Sequence, residues 1–324
     1  MKYFYVFLIC IMASINIIFT PIPKPLNARA TGGDFGDVTI YTKMLDIQTW
    51  NTIEKPYRYR ILTPLLASLI PFPESISKIF TSNDNKSSII RFKFYIINFI
   101  ALSLTGIFLF LFLKHLNFSV YESLLGIFLF YISFPIIHFG GVPLVDPLSY
   151  FFIISSLYTF INKKYLISCL LIILGFLNKE TTVLVLICSF LLPFNKKEKI
   201  LAILVSLPGI LWYSIFRFII SPTNIGYNYG FSQAVSAIYN TFTKPGIIIF
   251  LSDFFFYLGF LLFFAFIGFK KNKSLEWKSL FYLIFIILPI PIFIGANLGR
   301  IWFYSFPALI PFSLLGIRYL IERS

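Results

Sequence analysis

The chain has 324 residues, of which 58% are hydrophobic, 20% aromatic and only 12% charged. That balance excludes an ordinary soluble domain and leaves a membrane protein as the class. A net charge of +14 would indicate nucleic acid in a soluble chain, but here Lys and Arg occupy short gaps between apolar runs. Cytoplasmic loops look like this under the positive-inside rule, so no nucleic-acid partner is expected.

A helix of about 20 residues crosses a bilayer, and several apolar runs approach that length. The first, residues 3–19, reads as a retained anchor, because the small-residue stretch Ala28-Arg29-Ala30 lies too far beyond it for signal cleavage. Residues 21–91 form a first external loop whose exit is stiffened by Pro21, Pro23 and Pro25. Within it, Val38, Tyr41, Leu45 and Gln48, with Ile40 and Met44, fall at helical spacing and predict a helix lying on the membrane surface. After the sequence PYRYR, residues 61–72 are apolar but too short to cross, and Pro64 within them suits an interfacial or re-entrant segment.

Further spans are predicted over residues 94–113, 120–139, 147–161, 165–177, 181–194 and 200–220. A second external loop, 221–245, precedes spans at 247–269, 280–294 and 301–317. The expectation is therefore an all-α polytopic protein, a single integral membrane domain over 1–324 with about ten spans. Both termini are expected in the cytoplasm, in a plasma (inner) membrane. The short pair 165–177 and 181–194 is joined by Asn178-Lys179-Glu180, which predicts a charged turn at membrane depth. Cys10, Cys169 and Cys188 lie in apolar runs without ligand spacing and imply neither disulfide nor metal site.

This topology sorts Asp34, Asp37, Arg58, Arg60, Asp146, Lys179, Glu180, Asn297 and Arg300 onto one face. Ionisable groups at a bilayer boundary are costly unless paired or hydrated, so a cluster of mixed sign predicts a hydrated cavity. Arg58, Arg60, Lys179 and Arg300 suit a phosphate, while Asp34 and Asp37 suit proton removal from a hydroxyl or a divalent cation. Tyr41, Trp50, Tyr57, Tyr227 and Tyr229 are placed to stack on a sugar. Plainer readings stand beside these. Arg58 and Arg60 are also suited to anchoring on lipid phosphates, Asp146 to capping a helix with Pro147 at its first position, Glu180 to pairing with Lys179, and Arg300 to snorkelling. Asp46 and Glu54 read as solvated loop charges, Arg217 as an interfacial anchor, and His115 and His138 as isolated.

GDFGDVTIY, PYRYRILTPLLA, VDPLSYFFIISSLY followed by LIILGFLNKETTVLVL, and the closing GRIWFYSFPALIPF together resemble the membrane-embedded type C glycosyltransferases. The resemblance covers most of the chain through short motifs. It implies a polyprenyl-phosphate-linked sugar donor and an extracytoplasmic acceptor, which would be a cell-surface glycan, lipid or protein. No nucleotide cofactor is implied. It would make Asp37 or Asp34 the catalytic base, with Lys179 and Arg300 on the carrier phosphate and Arg58, Arg60, Asp146, Glu180 and Asn297 as further binding residues. The acids are spaced Asp-x-x-Asp rather than the commoner Asp-x-Asp, so the choice between Asp34 and Asp37 stays open. A transporter or flippase of a lipid-linked or anionic solute, and a non-catalytic envelope-assembly scaffold, are the competing functions.

Overall fold

Apolar runs without two-residue alternation fold as helices, which satisfy their own backbone hydrogen bonds without help from water. The computed structural model describes residues 2–19, 36–54, 57–71, 85–220, 231–272, 276–290 and 298–323, and among them the protein is all-α. In chain order the first helices are α1 (Lys2–Phe19), α2 (Gly36–Lys43), α3 (Leu62–Leu69), α4 (Asn85–His115), α5 (Val120–Tyr131), α6 (Phe134–Phe139), α7 (Asp146–Ile161) and α8 (Tyr165–Asn178). There follow α9 (Leu184–Leu191), α10 (Lys196–Ile215), α11 (Phe231–Phe242), α12 (Lys244–Tyr257), α13 (Gly259–Lys271), α14 (Tyr282–Ile287), α15 (Leu298–Trp302) and α16 (Phe306–Ile321).

Among the described residues, three segments are long and apolar enough to cross a membrane: Phe92–His115, Lys196–Ile220 and Arg300–Ile321. A fourth is α12 with α13, if the pair is one span bent by 68°. Several of the ten expected spans are interrupted. The run 120–139 breaks at Ile132 and Ser133, where α6 restarts with Pro135 in its first turn; proline lacks an N–H and fits only there without cost. The run 181–194 opens as a 3-10 turn, Glu180–Val183, before the eight-residue α9. The run 280–294 holds the short α14, and its last residues lie outside the described ones.

Burial separates the helices sharply. Every residue of α7 except Phe151, Tyr158 and Ile161 is buried, with α4 and α8 packed against it. By contrast, only 22% of the apolar window of Lys196–Ile220 is buried, and Ile203, Leu204, Leu207 and Leu211 face outward. In water such a stripe would be an association surface, whereas against acyl chains it costs nothing. The chain therefore has the surface of an integral membrane protein.

The first loop departs from expectation. The helix predicted to lie on the bilayer is α2, which ends at Lys43 so that Leu45 and Gln48 fall in the turn and 3-10 segment after it, and the apolar side is covered by protein: Tyr41 and Met44 are buried in a cluster with Ile53, Phe94, Phe139, Leu144 and Val145. Asp46 is exposed, as expected of a solvated charge, and also caps the 3-10 turn Ile47–Thr52 by accepting from the Gln48 amide at 3.0 Å. In α3, Leu62, Thr63 and Ala67 are buried while Leu65 and Leu69 are exposed, so this short helix has one side on the bundle and one side out. Together these elements roof one end of α7.

Candidate functional site

The roof brings charges from four distant parts of the sequence together. Asp146 opens α7, and its carboxylate is fully buried. The plainer reading of it, a helix cap, fails: Val145 holds the cap position and no side-chain cap bond forms. Instead the oxygens of Asp146 are taken by three donors: Lys179 Nζ at 2.6 Å, the Tyr304 hydroxyl at 2.7 Å and Arg300 Nη2 at 2.6 Å. A buried carboxylate needs partners on both oxygens, and tertiary donors outcompete the local backbone here.

Arg300 spans the site. Its Nη1 reaches Asp37 Oδ2 at 2.6 Å while Nη2 holds Asp146, and its guanidinium lies over the Phe139 ring at 5.4 Å. The snorkelling alternative therefore fails: the fork points into protein and joins the loop to the bundle. Asp37, in the first turn of α2, also accepts from the Tyr57 hydroxyl at 2.6 Å.

Arg60 forms the other arm. It is buried, pairs bidentately with Glu180 through Nε at 3.1 Å and through a close Nη2 contact, and donates to the Tyr41 hydroxyl at 3.1 Å. Glu180 thus pairs with Arg60 rather than with its neighbour Lys179. Tyr41 and Tyr57 meet edge to face at 5.6 Å, so they bridge the two arms. Since Lys179 and Glu180 are consecutive, the network closes on itself: Glu180, Arg60, the two tyrosines, Asp37, Arg300, Asp146, Lys179 and back. Three acids face three bases, so the ring is charge-balanced.

The turn carrying Lys179 and Glu180 is held by its neighbours. α8 ends at Asn178, whose amide donates to Val145 O and Ser149 Oγ, each at 2.8 Å, and whose Oδ1 accepts from Thr63 on α3. Lys179 is extended and buried, which places this charged turn inside protein rather than in lipid.

Burial pushes the Asp37 carboxyl up. The Arg300 charge beside it, the hydrogen bonds from Tyr57 and Arg300, and the charge of Arg60 outweigh burial and hold it below its ordinary value. Burial and the adjacent Asp37 charge push the Tyr57 phenol up, so Tyr57 stays a donor.

Of the expected site residues, Asp37, Arg60, Asp146, Lys179, Glu180 and Arg300 converge. Among the described residues Arg58 is not seen to join them: it donates to Asn51 Oδ1 at 3.3 Å within the loop. Asp34, Asn297, Tyr227 and Tyr229 lie outside the described residues. Among the described residues no group of three or more His, Cys, Asp or Glu could hold a metal ion. A divalent cation at Asp37 would have to displace Arg300, and its other expected ligand, Asp34, is not described.

One participant, Tyr304, and one half-buried acid nearby, Asp253, escaped the sequence reading. Tyr304 follows Arg300 by one helical turn, a spacing that would have found it. Asp253, inside the apolar α12, makes no hydrogen bond or ion pair among the described residues, and Tyr257 one turn later stacks at 6.2 Å on the Phe139 ring beneath Arg300. Arg217, in the π-helical turn after α10, stands over the Tyr59 ring at 5.5 Å and beside Tyr213, outside the closed ring of pairs. Comparison of the chain with protein-family models, with curated proteins and with solved structures gives no match.

Proposed function

We propose that the protein is a membrane glycosyltransferase that moves a sugar from a polyprenyl-phosphate-linked donor to an extracytoplasmic acceptor. The observation that carries this reading is the sharing of Arg300 between Asp37 and the buried Asp146–Lys179 pair. An acid and a phosphate-binding fork stand side by side at the border of an apolar bundle, and the Asp37 side chain keeps 23% of its exposure.

Charge balance dictates the order of events in this proposal. The ring has no surplus cation, so a donor phosphate engages Arg300 by displacing Asp37 from it. Losing that neighbour raises the Asp37 carboxylate towards useful basicity, because the main opposing charge is gone. The acceptor hydroxyl then gives its proton to Asp37 as its oxygen bonds the anomeric carbon. The bond from that carbon to the phosphate oxygen breaks, with the electron pair leaving on the phosphate beside Arg300. Developing charge on the leaving group is met by a preorganised cation. Lys179 acts from behind, holding Asp146 and through it the orientation of Arg300. Ten spans, cytoplasmic termini and an outward-facing site in the inner membrane complete the proposal.

Incubating the purified protein with a panel of polyprenyl-phosphate sugars and an acceptor tests it. Transfer should appear, and Asp37→Asn should lower it by roughly 10²–10⁴-fold, the usual worth of general-base catalysis. Full transfer by Asp37→Asn would remove Asp37 as the base. Flux of labelled lipid without transfer would favour a transporter, and neither activity would favour a scaffold. Single cysteines at Asp46 and Lys163 should label from opposite sides of the membrane, with Asp46 reached from outside.

A further inference from the structure

The end of the bundle away from the ionic ring has a different character. Arg300 and Arg318 bracket the segment that contains α16; at 1.5 Å per residue they stand about 27 Å apart, close to the thickness of a hydrocarbon core. Around the Arg318 end, α13 finishes in Lys270 and Lys271, and Lys278 follows in the next turn. None of these three lysines has a carboxylate partner among the described residues; the nearby ion pair is Arg318 with Glu122. Lys278 Nζ sits 4.7 Å above the Phe269 ring, and Lys271 lies 5.1 Å over Tyr319 with Arg323 on the same ring at 4.7 Å. Glu276 is the acid in this stretch, and it is exposed.

Below these lysines an apolar cavity of about 390 Å³ opens along the outer side of α13, lined by Phe263, Phe266, Ile267, Phe269 and Lys270. Its size falls within the range of small-ligand pockets, about 300–1,000 Å³. The opposite side of α13 is committed: a Cβ on Gly268 would collide with the Phe312 carbonyl oxygen, and one on Gly316 with that of Phe264, so α13 and α16 meet backbone to backbone. The outer side is left open. Phe263 and Phe266 are 61% and 45% exposed there, next to an equally exposed Tyr282 and Phe285.

We propose that this groove binds an anionic phospholipid with no compensating amine, of the phosphatidylglycerol class. One acyl chain lies along Phe263, Phe266 and Ile267, and the phosphate is met by Lys270 and Lys278. Lys270, which lines the groove, and Lys278, which stands over its Phe269 wall, have no carboxylate partner among the described residues and select for net negative charge, and the aromatic wall selects for a chain rather than a free anion. The site is separate from the ionic ring and does not depend on what reaction the ring performs.

Native mass spectrometry of the purified full chain in detergent, titrated with phosphatidylglycerol or phosphatidylcholine, tests it. Phosphatidylglycerol should be retained more tightly. Lys270→Gln with Lys278→Gln should weaken it by roughly fivefold for each lysine removed and leave phosphatidylcholine unchanged. Ile267→Trp, which fills the groove without touching charge, should weaken phosphatidylglycerol as well. Lys196→Gln with Lys197→Gln, at the start of α10, should have no effect. Equal retention of the two lipids would overturn the proposal, as would an equal loss from the Lys196 and Lys197 changes, which marks a diffuse basic surface. Unchanged binding by Ile267→Trp, or a second copy of the chain occupying the groove, would overturn it too. Lys270→Arg with Lys278→Arg keeps the charge and should keep the lipid; loss of binding by that folded variant also counts against it.

Discussion

The loop half and the bundle half of the ionic ring contain the same kinds of pairs at similar distances, but water reaches them differently. On the bundle side the side chains of Asp146 and Lys179 retain 0% and 7% of their exposure; on the loop side Asp37 and Glu180 retain 23% and 37%. A sealed pair has already lost its hydration and gains nothing by separating, so it holds geometry. A half-hydrated pair can trade its partner for water or ligand at modest cost. The difference assigns the bundle half to positioning and leaves exchange to the loop half.

The strongest way to break this comparison is Asp146→Asn. It leaves Lys179 and one arm of Arg300 buried without a counter-charge and should cost about 3–5 kcal/mol, read as a lowered unfolding midpoint in detergent. Asp146→Leu combined with Lys179→Leu should be less damaging than Asp146→Leu alone, because no orphaned ammonium remains. A double variant worse than the single would mean the pair is not the sealed unit described.

Acid provides a gentler probe of the loop half. The Asp37 carboxyl is held below its ordinary 3.8 in the folded protein. A lowered folded value means that the ion pair contributes fully above the unfolded pKa, about 3.9, and that the contribution disappears as pH falls through the folded value. Wild type and Asp37→Asn should therefore differ in unfolding midpoint at pH 7, begin to converge as pH falls below about 4 and meet only below the lowered folded value. Tyr57→Phe removes one hydrogen bond to the charged form and should move that convergence to higher pH. Convergence already at pH 6 would show that Arg300 does not hold Asp37.

Arg60 and Arg58 sharpen the comparison at its small end. Arg60→Met should cost about 1–2 kcal/mol, trimmed because water already reaches Glu180. Arg58→Met should change stability by no more than about 0.5 kcal/mol. Equal effects at the two positions would deny that the loop presents only one of them to the bundle.

Those two arginines also show why the site was only partly legible. In the sequence they are equivalent, flanking Tyr59 in PYRYR. Arg58 lies within the 3-10 turn Tyr57–Tyr59 and Arg60 just after it, so residues two apart point in different directions. Which one faces inward is settled by Glu180, distant in the chain. Asp146 gives the same lesson: Asp-Pro at a helix start signals a cap, and nothing local announces that Lys179, Tyr304 and Arg300 will occupy its oxygens instead. Spacing found only the first part of the expected surface helix, since α2 ends at Lys43 before Leu45 and Gln48, and an apolar side looks the same whether lipid or protein covers it; Phe139 and Val145 turned out to cover Tyr41 and Met44.

By itself the sequence determined that the protein is helical and membrane-suited, because backbone hydrogen bonding in an apolar setting leaves a single open-chain solution and composition alone demands that setting. It also singled out Asp37, Arg60, Asp146, Lys179, Glu180 and Arg300, which the fold brings together, along with Arg58, which stays within the loop. Only the tertiary structure decided how those charges pair, which spans break, and which arginine of the first loop turns inward. Pairing energy depends on distance and desolvation, and both are created by packing segments that are far apart in the chain.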